Sequence, residues 1–396
     1  MLALILLSVA IHGSEANDAQ PAHTANFYEM LQHQTDSTKP SLSYLEKKWP
    51  EREVWRTTAR AKMFELLRYS PTTPHRTEEV LAVNQRDGFK QIHIRYPVTA
   101  DRTTEAFLLI PDELEFPAPA IIAMHCHSGF YYYGKEKISE INDPPPVLQE
   151  LVEETYGGRY WADELARRGY VVLVPDAFYF GSQRLDGEAL PPEFRQPLEG
   201  LLPGSDAYIR AFHPVAANFE NLMAKTIFTS GSTWPGILFH GDRISLEYLL
   251  QRPEVDPHRI GVIGLSLGGF RSAHLFGLDS RIKAGVVAGW MTTYGSLIRR
   301  HLSNHTWMIY VPGQYQYLDL PDVVTLNAPN PLMVINCSQD TLFPMHGMKG
   351  AEENIRNIYT EMGDGDMFEC LYFDVDHSFR LDAQESAFAF LESHLK

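Results

Sequence analysis

The chain has 396 residues, of which 44% are apolar, enough to bury a large core. Its 34 Lys and Arg against 50 Asp and Glu give a formal net charge of −16 at pH 7, which disfavours nucleic acids and anionic membrane surfaces as partners. Its three cysteines are too few for a disulfide scaffold, although Cys337 and Cys370 could form one bridge if their predicted strands are adjacent.

The first residues predict export rather than a membrane span. Residues 2–11 are an apolar run too short to cross a bilayer, and the small residues Ser14 and Ala16 follow at a cleavage position. Residues 1–16 are therefore predicted to be a signal peptide of a secreted or periplasmic protein. The stretch before the apolar run has no Lys or Arg, so a cytoplasmic protein with a mis-set start codon, or an apolar arm packed on the fold, is the alternative.

The next segments are predicted to be accessory. Residues 17–40 are polar and indicate a poorly ordered linker. Residues 41–79 indicate a helical extension whose apolar residues pack against the main domain. Those apolar residues are Leu45, Trp49, Trp55, Met63, Leu66 and Leu67.

Residues 80–396 predict one α/β domain with a mostly parallel central sheet flanked by helices. Two antiparallel edge strands are expected first, and buried runs that alternate with helical patterns are expected to form the parallel part. The chain between these elements is too long for simple connections, so insertions are predicted near 131–156, 181–235 and 292–329. The last two follow strand carboxyl ends and are expected to cap the active site. The edge strands are residues 91–97 and 104–111, and the buried runs are 120–125, 170–175, 259–263, 331–337 and 368–373.

The turn after the first parallel strand contains His125, Cys126 and His127. It occupies the place of a loop that donates one backbone N–H to a developing oxyanion, and the His127 amide, or the neighbouring Cys126 amide, is predicted to be that donor. A metal site is the less favoured alternative, because adjacent side chains at a strand end alternate sides. A nucleophilic role for Cys126 is equally disfavoured, because a serine holds the nucleophile position.

That serine is Ser266, in the sequence Gly-Leu-Ser-Leu-Gly-Gly directly after a buried strand. A serine on a strained turn between strand and helix presents its hydroxyl to a cleft, and flanking glycines allow the tight reversal. The amide of Leu267, the residue after the nucleophile, is predicted to be the second oxyanion donor.

The serine needs a base and an acid further along the chain. Asp340 and His377 each follow a predicted strand, where α/β sheets place their chemistry. His377 would take the serine proton, and Asp340 would orient the imidazole. Asp340 could instead cap a helix, and Asp374 or Asp376 could be the acid, although both lie on the same loop as His377.

Aromatic residues in and beside the insertions are candidates for a substrate pocket, with core packing as the alternative for each. We single out Tyr131, Trp234 and Trp290. The neighbouring candidates are Trp307, Tyr310, Tyr315 and Tyr317. Arg299-Arg300-His301 could meet an anionic substrate group, although a solvated helix face is the favoured interpretation.

Five segments of the chain, which include the turns around His127 and Ser266, resemble the α/β-hydrolase superfamily. More narrowly, they resemble the bacterial dienelactone-hydrolase-like and acetyl-xylan-esterase-like hydrolases. The resemblance covers about residues 83–396. It implies the α/β-hydrolase fold and carboxylester hydrolysis without a cofactor. Dienelactone hydrolases proper use a cysteine nucleophile, so Ser266 favours ordinary ester hydrolysis over lactone opening. The segments that carry it are 125–137, 161–176, 252–261, the turn around Ser266, and 282–290.

The sequence thus predicts a serine esterase with a Ser266–His377–Asp340 triad, which acts on a small or medium ester such as an acetylated carbohydrate. A peptidase or C–C bond hydrolase on the same triad is the nearest alternative, and a non-catalytic binding module is the alternative from another class. No metal and no cofactor is expected.

Overall fold

A computed structural model describes residues 21–36, 40–46, 49–72, 77–114 and 117–396. The predicted signal peptide, residues 1–16, lies outside the described residues. Within the described ranges, no helix combines the length and the apolar character that crossing a membrane requires.

The core of the fold is one mixed sheet, to which the described residues contribute nine strands. In chain order these are β1 (Glu79–Arg86), β2 (Phe89–Pro97), β3 (Thr103–Pro111), β4 (Ala118–Met124), β5 (Val171–Pro175), β6 (Val255–Leu265), β7 (Ala284–Ala288), β8 (Leu332–Cys337) and β9 (Phe368–Phe373). Their order across the sheet is β1-β2-β3-β5-β4-β6-β7-β8-β9. β1, β2 and β3 pair antiparallel, and β3 also pairs antiparallel with β5, whereas all pairs from β5 to β9 are parallel. The predicted mostly parallel sheet is therefore confirmed.

One prediction about the sheet is wrong. The two antiparallel strands expected at the edge, 91–97 and 104–111, exist as β2 and β3, but β1 lies outside them at this edge of the sheet. Most side chains of β1 are exposed, including Val80 at 54% and Val83 at 57%. An exposed edge strand has no alternation of buried and polar residues, so the sequence pattern does not mark it.

Helices cover both faces of the sheet. They are α1 (Tyr28–Asp36), α2 (Arg52–Leu67), α3 (Pro146–Tyr156), α4 (Trp161–Arg167), α5 (Pro192–Arg195), α6 (Asp206–Thr229), α7 (Trp234–Leu249), α8 (Leu267–Leu278), α9 (Tyr294–Ile298), α10 (Leu320–Thr325), α11 (Met345–Glu361) and α12 (Leu381–Leu395). Adjacent residues of β4 enter different cores, because side chains alternate across a strand. Ile122 joins the core formed with α7, α8, α10 and α11, and Ile121 joins the core formed with α4 and α12. Helices on both faces of a parallel sheet define a three-layer α/β domain.

The N-terminal extension packs against this domain. Trp55, Met63 and Leu67 of α2 are buried in the larger core. Arg60 of the same helix donates to the carbonyl oxygen of Leu326 at 3.0 Å. The stretch predicted to be a poorly ordered linker, 17–40, contains α1 in its described part.

The three cysteines are free, so the disulfide considered for Cys337 and Cys370 does not form. The two residues do lie on adjacent strands, β8 and β9. In the register of this pair, however, Cys337 is opposite Phe373 and Cys370 is opposite Val334. The offset separates the two thiols along the strands, because residues three positions apart on a strand lie about 10 Å from each other.

Helices occupy the three predicted insertions. The segment 131–156 contains a 3₁₀ turn at Lys135–Lys137 and the whole of α3. The segment 181–235 contains α5 and the long helix α6. The segment 292–329 contains α9, the 3₁₀ turn Trp307–Ile309 and α10.

Candidate active site

Ser266 lies at the junction of β6 and α8, in a backbone conformation that only a few non-glycine residues adopt. Its φ is 59° and its ψ is −117°. Its N–H donates to the Ala288 carbonyl at 2.9 Å, and its carbonyl accepts the Phe270 N–H at 2.8 Å. Strained backbone of this kind persists only where neighbouring bonds hold it, and it clusters at functional sites.

The glycines around Ser266 are sterically required. A Cβ at Gly268 would lie 2.2 Å from the Met124 carbonyl oxygen, and one at Gly264 would lie 2.5 Å from the Gly268 carbonyl carbon. Both distances are far below van der Waals contact, so only glycine lets α8 approach β4 and β6 this closely. The turn at Ser266 therefore depends on the glycine pattern that the sequence shows.

Asp340 and His377 are brought together by two adjacent parallel strands. Asp340 follows β8 and His377 follows β9, and the His377 Nδ1 lies 2.6 Å from the Asp340 Oδ2. The Asp340 side chain is fully buried, and its Oδ1 accepts the Leu342 N–H at 2.8 Å. The next helix, α11, begins at Met345 and has Pro344 in the capping position, so Asp340 does not cap it.

The two other candidate acids have different partners. Asp374 accepts hydrogen bonds from Ser338 Oγ at 2.9 Å and from Gln339 Nε2 at 2.7 Å. The Asp376 side chain is 72% exposed, and its Oδ1 accepts the Ser378 hydroxyl at 3.0 Å. Both carboxylates stabilise the loops near His377 without a hydrogen bond to its ring.

The other ring nitrogen of His377 is available. Nε2 is buried and has no hydrogen-bond partner among the described residues. A Cβ at Gly289 would lie 3.2 Å from His377 Cε1, the carbon between the two nitrogens. Gly289 directly follows Ala288, whose carbonyl binds the Ser266 N–H. The imidazole therefore lies over the strand end next to Ser266, with Nδ1 held by Asp340.

The backbone N–H groups of His127 and Leu267 are also available. No described residue accepts a hydrogen bond from either of them. Leu267 is the first residue of α8, where N–H groups have no intrahelical partner and the helix dipole favours negative charge. The two amides predicted to stabilise an oxyanion thus flank Ser266 and the end of β4.

The His127 side chain belongs to a hydrogen-bond network around Glu220 of α6. Nε2 donates to Glu220 Oε1 at 2.9 Å, and Nδ1 accepts the Gly129 N–H at 2.9 Å. The Tyr131 hydroxyl donates to the same Oε1 at 2.7 Å, and the Thr306 hydroxyl donates to Oε2 at 2.7 Å. The network joins the turn after β4 to all three insertions.

Glu220 is a site residue that the sequence interpretation missed. Burial alone would raise the pKa of this carboxyl, but hydrogen bonds from His127, Thr306 and Tyr131 outweigh burial and lower it, so Glu220 is ionised. The available signal was a single acid on the apolar face of a long helix. That face contains Phe212, Val215, Ala216, Phe219, Ala224 and Ile227.

The three residues predicted to line a substrate pocket are all buried. Trp234 is 0% exposed and packs at the start of α7 against Phe178 and Tyr179, so it offers no surface to a substrate. The Tyr131 hydroxyl is used by Glu220. Trp290 contacts Phe343, whose ring centroid is 6.1 Å from that of His377, so it belongs to the wall behind the imidazole.

His305 completes this wall and was not predicted. Its ring lies 4.7 Å from Phe343, centroid to centroid. Burial, and then the proximity of His377, lower the pKa of His305 to about 4, so it is neutral at pH 7. Arg299, considered for anionic substrates, stacks over Tyr28 of α1 at 5.0 Å and is engaged by the N-terminal segment.

The alternative metal site at His125, Cys126 and His127 has no ligand cluster to support it among the described residues. No group of three or more His, Cys, Asp or Glu side chains is arranged there to bind an ion. His125 Nδ1 donates to the Cys126 carbonyl, and its Nε2 accepts the Ala177 N–H. Both ring nitrogens of His125 therefore form hydrogen bonds with backbone groups, which leaves neither to bind a metal ion.

The sheet order, the serine on the β6–α8 turn and the His–Asp pair after β8 and β9 define the α/β-hydrolase fold. The Dienelactone hydrolase family model matches residues 151–390, more than half of the chain. The chain belongs to the Dienelactone hydrolase family. This confirms the predicted fold and the prediction that the chain is a hydrolytic enzyme.

The chain is also similar to a curated protein and to solved structures. The chain is 25% identical over 341 residues to the "Putative hydrolase YtaP" of Bacillus subtilis (strain 168), with 86% of this chain and all of that protein covered. A "putative acetyl xylan esterase" of Bacteroides fragilis NCTC 9343 superposes with a TM-score of 0.67 at 17% identity, covering 87% of this chain and 82% of that one. A glucuronoyl esterase from Solibacter usitatus superposes with a TM-score of 0.58 at 15% identity, covering 90% and 97%. Both solved structures share the fold and are described as esterases.

Proposed function

We propose that this protein is a serine carboxylester hydrolase that acts through Ser266, His377 and Asp340. The proposal rests above all on His377, whose Nδ1 is held by a buried carboxylate while its Nε2 has no partner beside the strained Ser266 turn. A base in that state is ready to accept a serine proton. The esterase descriptions of the structural neighbours support the same reaction class.

The chemistry follows from these positions. His377 Nε2 takes the Ser266 proton as Oγ attacks the ester carbonyl carbon, and the imidazolium that forms is stabilised by Asp340. The negative charge on the carbonyl oxygen is met by the His127 and Leu267 N–H groups. His377 then protonates the leaving alcohol, and the acyl-enzyme is hydrolysed by a water that His377 deprotonates.

The proposed substrates are small to medium esters such as acetylated carbohydrates. Trp290, Phe343 and His305 form a packed wall beside His377, which favours a compact acyl group. An acetylated sugar is the substrate class favoured by the description of one structural neighbour as an acetyl xylan esterase. Secretion or periplasmic export remains a proposal that rests on residues 1–16, and N-terminal sequencing of the mature protein from its host tests it.

The test is hydrolysis of p-nitrophenyl acetate, butyrate and octanoate by the wild type, Ser266→Ala and Ser272→Ala. Ser272 is a matched control, because its buried hydroxyl lies on α8 and has no hydrogen-bond partner among the described residues. We expect Ser266→Ala to lower kcat by about 10³-fold or more, and Ser272→Ala to leave it unchanged. A fluorophosphonate should label the wild type on Ser266.

Equal activity of wild type and Ser266→Ala, with no fluorophosphonate labelling, would show that the serine is not the catalyst. Cleavage of amides or carbon–carbon bonds in preference to all three esters would favour the alternative hydrolase classes. Complete inertness of the wild type toward all of these would favour a binding module.

A further inference from the structure

Lys137 is a buried charge that the proposed mechanism does not use. It lies in the 3₁₀ turn Lys135–Lys137, and its side chain is 0% exposed. Its ammonium forms no salt bridge with any residue in the described ranges, and it lies 4.5 Å from the Phe180 ring centroid. Burying an ammonium without a carboxylate partner costs free energy. We therefore ask which function of Lys137 offsets this cost.

The ammonium instead donates to two backbone carbonyls. Nζ lies 2.8 Å from the Cys126 oxygen and 3.1 Å from the His127 oxygen. The Cys126 oxygen also accepts a hydrogen bond from His125 Nδ1 at 2.9 Å. These carbonyls belong to the turn after β4, which carries the proposed oxyanion donor.

The Cys126 carbonyl and the His127 N–H form one peptide unit. In a trans peptide the C=O and the N–H point in opposite directions, so a carbonyl held by Lys137 directs the His127 N–H to the other side. A charged donor on the carbonyl also polarises the peptide and strengthens the N–H as a donor. The His127 N–H has no acceptor among the described residues, so this effect is available to a ligand.

We propose that Lys137 is a positioning residue that orients and polarises the His127 amide for oxyanion stabilisation, and that loss of its proton weakens the proposed reaction. The inference rests on the proposed function. It assigns to a buried lysine the role of setting the alkaline limit of activity, because the neutral amine has no charge with which to polarise the peptide.

The direction of the pH effect follows from burial. Burial lowers the pKa of Lys137 from its usual value near 10.5 to about 8. The proton is therefore present below about pH 8, and kcat is expected to fall as the pH rises through that value. Lys135, two residues earlier in the same turn, differs. Its Nζ lies 2.9 Å from Asp176 Oδ2 and 2.8 Å from Glu136 Oε1, so the pKa of Lys135 is raised despite its burial.

Three charged groups that face Lys137 have ion-pair partners of their own. Asp176 and Glu136 are paired with Lys135, and Arg271 is paired with Asp242 at 2.6 Å. Burial, with the nearby positive charge of Lys137, lowers the pKa of His213 to about 4 and that of His125 well below its usual range, so both stay neutral. The Cys126 thiol is the remaining titratable neighbour, and the Cys126→Ala variant tests its contribution to the pH dependence. The groups that face Lys137 are His125 and Cys126 after β4, Glu136 in its own turn, Asp176 after β5, His213 on α6 and Arg271 on α8.

The experiment measures kcat and KM for p-nitrophenyl acetate from pH 5 to 10, with the fold checked by circular dichroism at each pH. Lys137→Met should lower kcat by roughly tenfold, less than the ~10²–10³-fold loss of a whole oxyanion donor, with KM close to wild type. It should also remove the alkaline decline seen in the wild type. Lys137→Gln, which retains a donor without the charge, should give an intermediate kcat and no decline.

Two controls isolate the effect. Lys135→Met removes a buried lysine from the same turn but should keep the alkaline decline, and Cys126→Ala should keep it as well. A Lys137→Met enzyme with kcat within twofold of wild type, or with the decline intact, overturns the inference while the Ser266 assignment stands. If Lys137→Met does not fold, the pH profile of the wild type tests the inference by itself, and a kcat that stays constant to pH 10 overturns the inference. If the wild type shows no hydrolysis that depends on Ser266, the proposed function is wrong, and the inference fails with it.

Discussion

The His127 imidazole donates from Nε2 to Glu220 Oε1 at 2.9 Å, and this bond ties the turn after β4 to helix α6. The opposite ring nitrogen accepts the Gly129 N–H, which fixes both the tautomer and the ring orientation. The carboxylate that receives the bond also receives Thr306 and Tyr131. One buried charge thus holds together the parts of the chain that surround the proposed oxyanion donor.

Replacing this charge should loosen the proposed oxyanion turn. In Glu220→Gln, at least one of the three donors would face the amide NH₂ instead of an acceptor, and an unsatisfied buried donor costs about 1–3 kcal/mol. We expect kcat for p-nitrophenyl acetate to fall by roughly tenfold, because the amide of His127 is held less firmly. Glu150→Gln is the matched control, since Glu150 is an exposed carboxylate whose ion-pair partner is Arg210 at the surface. Equal kcat values for the two variants would contradict a role for Glu220.

The assignment of the acid predicts different effects for two nearby aspartates. Asp340→Asn should lower kcat by about 10³–10⁴-fold, because the amide leaves His377 in the wrong tautomer. Asp376→Asn should stay close to wild type, because that carboxylate is exposed and contacts Ser378 of its own loop and, at 3.7 Å, Arg380. Steady-state rates on p-nitrophenyl acetate decide between them. If Asp376→Asn is the more damaged enzyme, Asp376 and not Asp340 is the acid.

Gly268, two residues after the nucleophile, leads to a steric prediction. Gly268→Ala places a methyl group 2.2 Å from the Met124 carbonyl oxygen, so β4 and α8 must separate. We expect a large loss of stability, detected as a lower urea midpoint, together with loss of activity. Gly241→Ala is the control, because a Cβ there meets nothing within 4 Å and the position lies inside helix α7. It should raise stability by about 0.5–1 kcal/mol, and a loss of comparable size in both variants would refute the steric explanation.

The buried ion pair between α8 and α7 leads to a prediction about stability. Arg271 of α8 and Asp242 of α7 are almost fully buried, and the guanidinium Nη2 lies 2.6 Å from Oδ1. Asp242→Asn leaves the guanidinium without its counter-charge and should lower the free energy of unfolding by about 3–5 kcal/mol. Asp256→Asn breaks a more exposed pair with Arg259 and should cost at most ~1 kcal/mol. Urea titrations of both variants measure this, and equal costs would exclude a special role of the buried pair.

The sequence predicted the sheet, the family and the chain order Ser266, Asp340, His377, because each depends on local signals. A buried run followed by a glycine-flanked serine marks a strand–turn–helix, and a buried run followed by Asp or His marks a strand end. The exposed edge strand β1 and the helix α1 lacked such signals. The edge strand has no buried face, and α1 lies in a polar stretch whose partners are distant in the sequence.

Local sequence could not decide which buried polar groups meet. Glu220 lies 93 residues from His127 and 86 from Thr306, and their contacts exist only because α6 folds across the turn after β4. The same limit made Trp234 look like a pocket residue, since aromatic composition does not distinguish a cap from a core. The sequence alone determined that Ser266, Asp340 and His377 each follow a buried strand. The partners of each charge, Lys137 above all, were decided by tertiary packing, because hydrogen-bond geometry depends on distances that only the folded chain brings about.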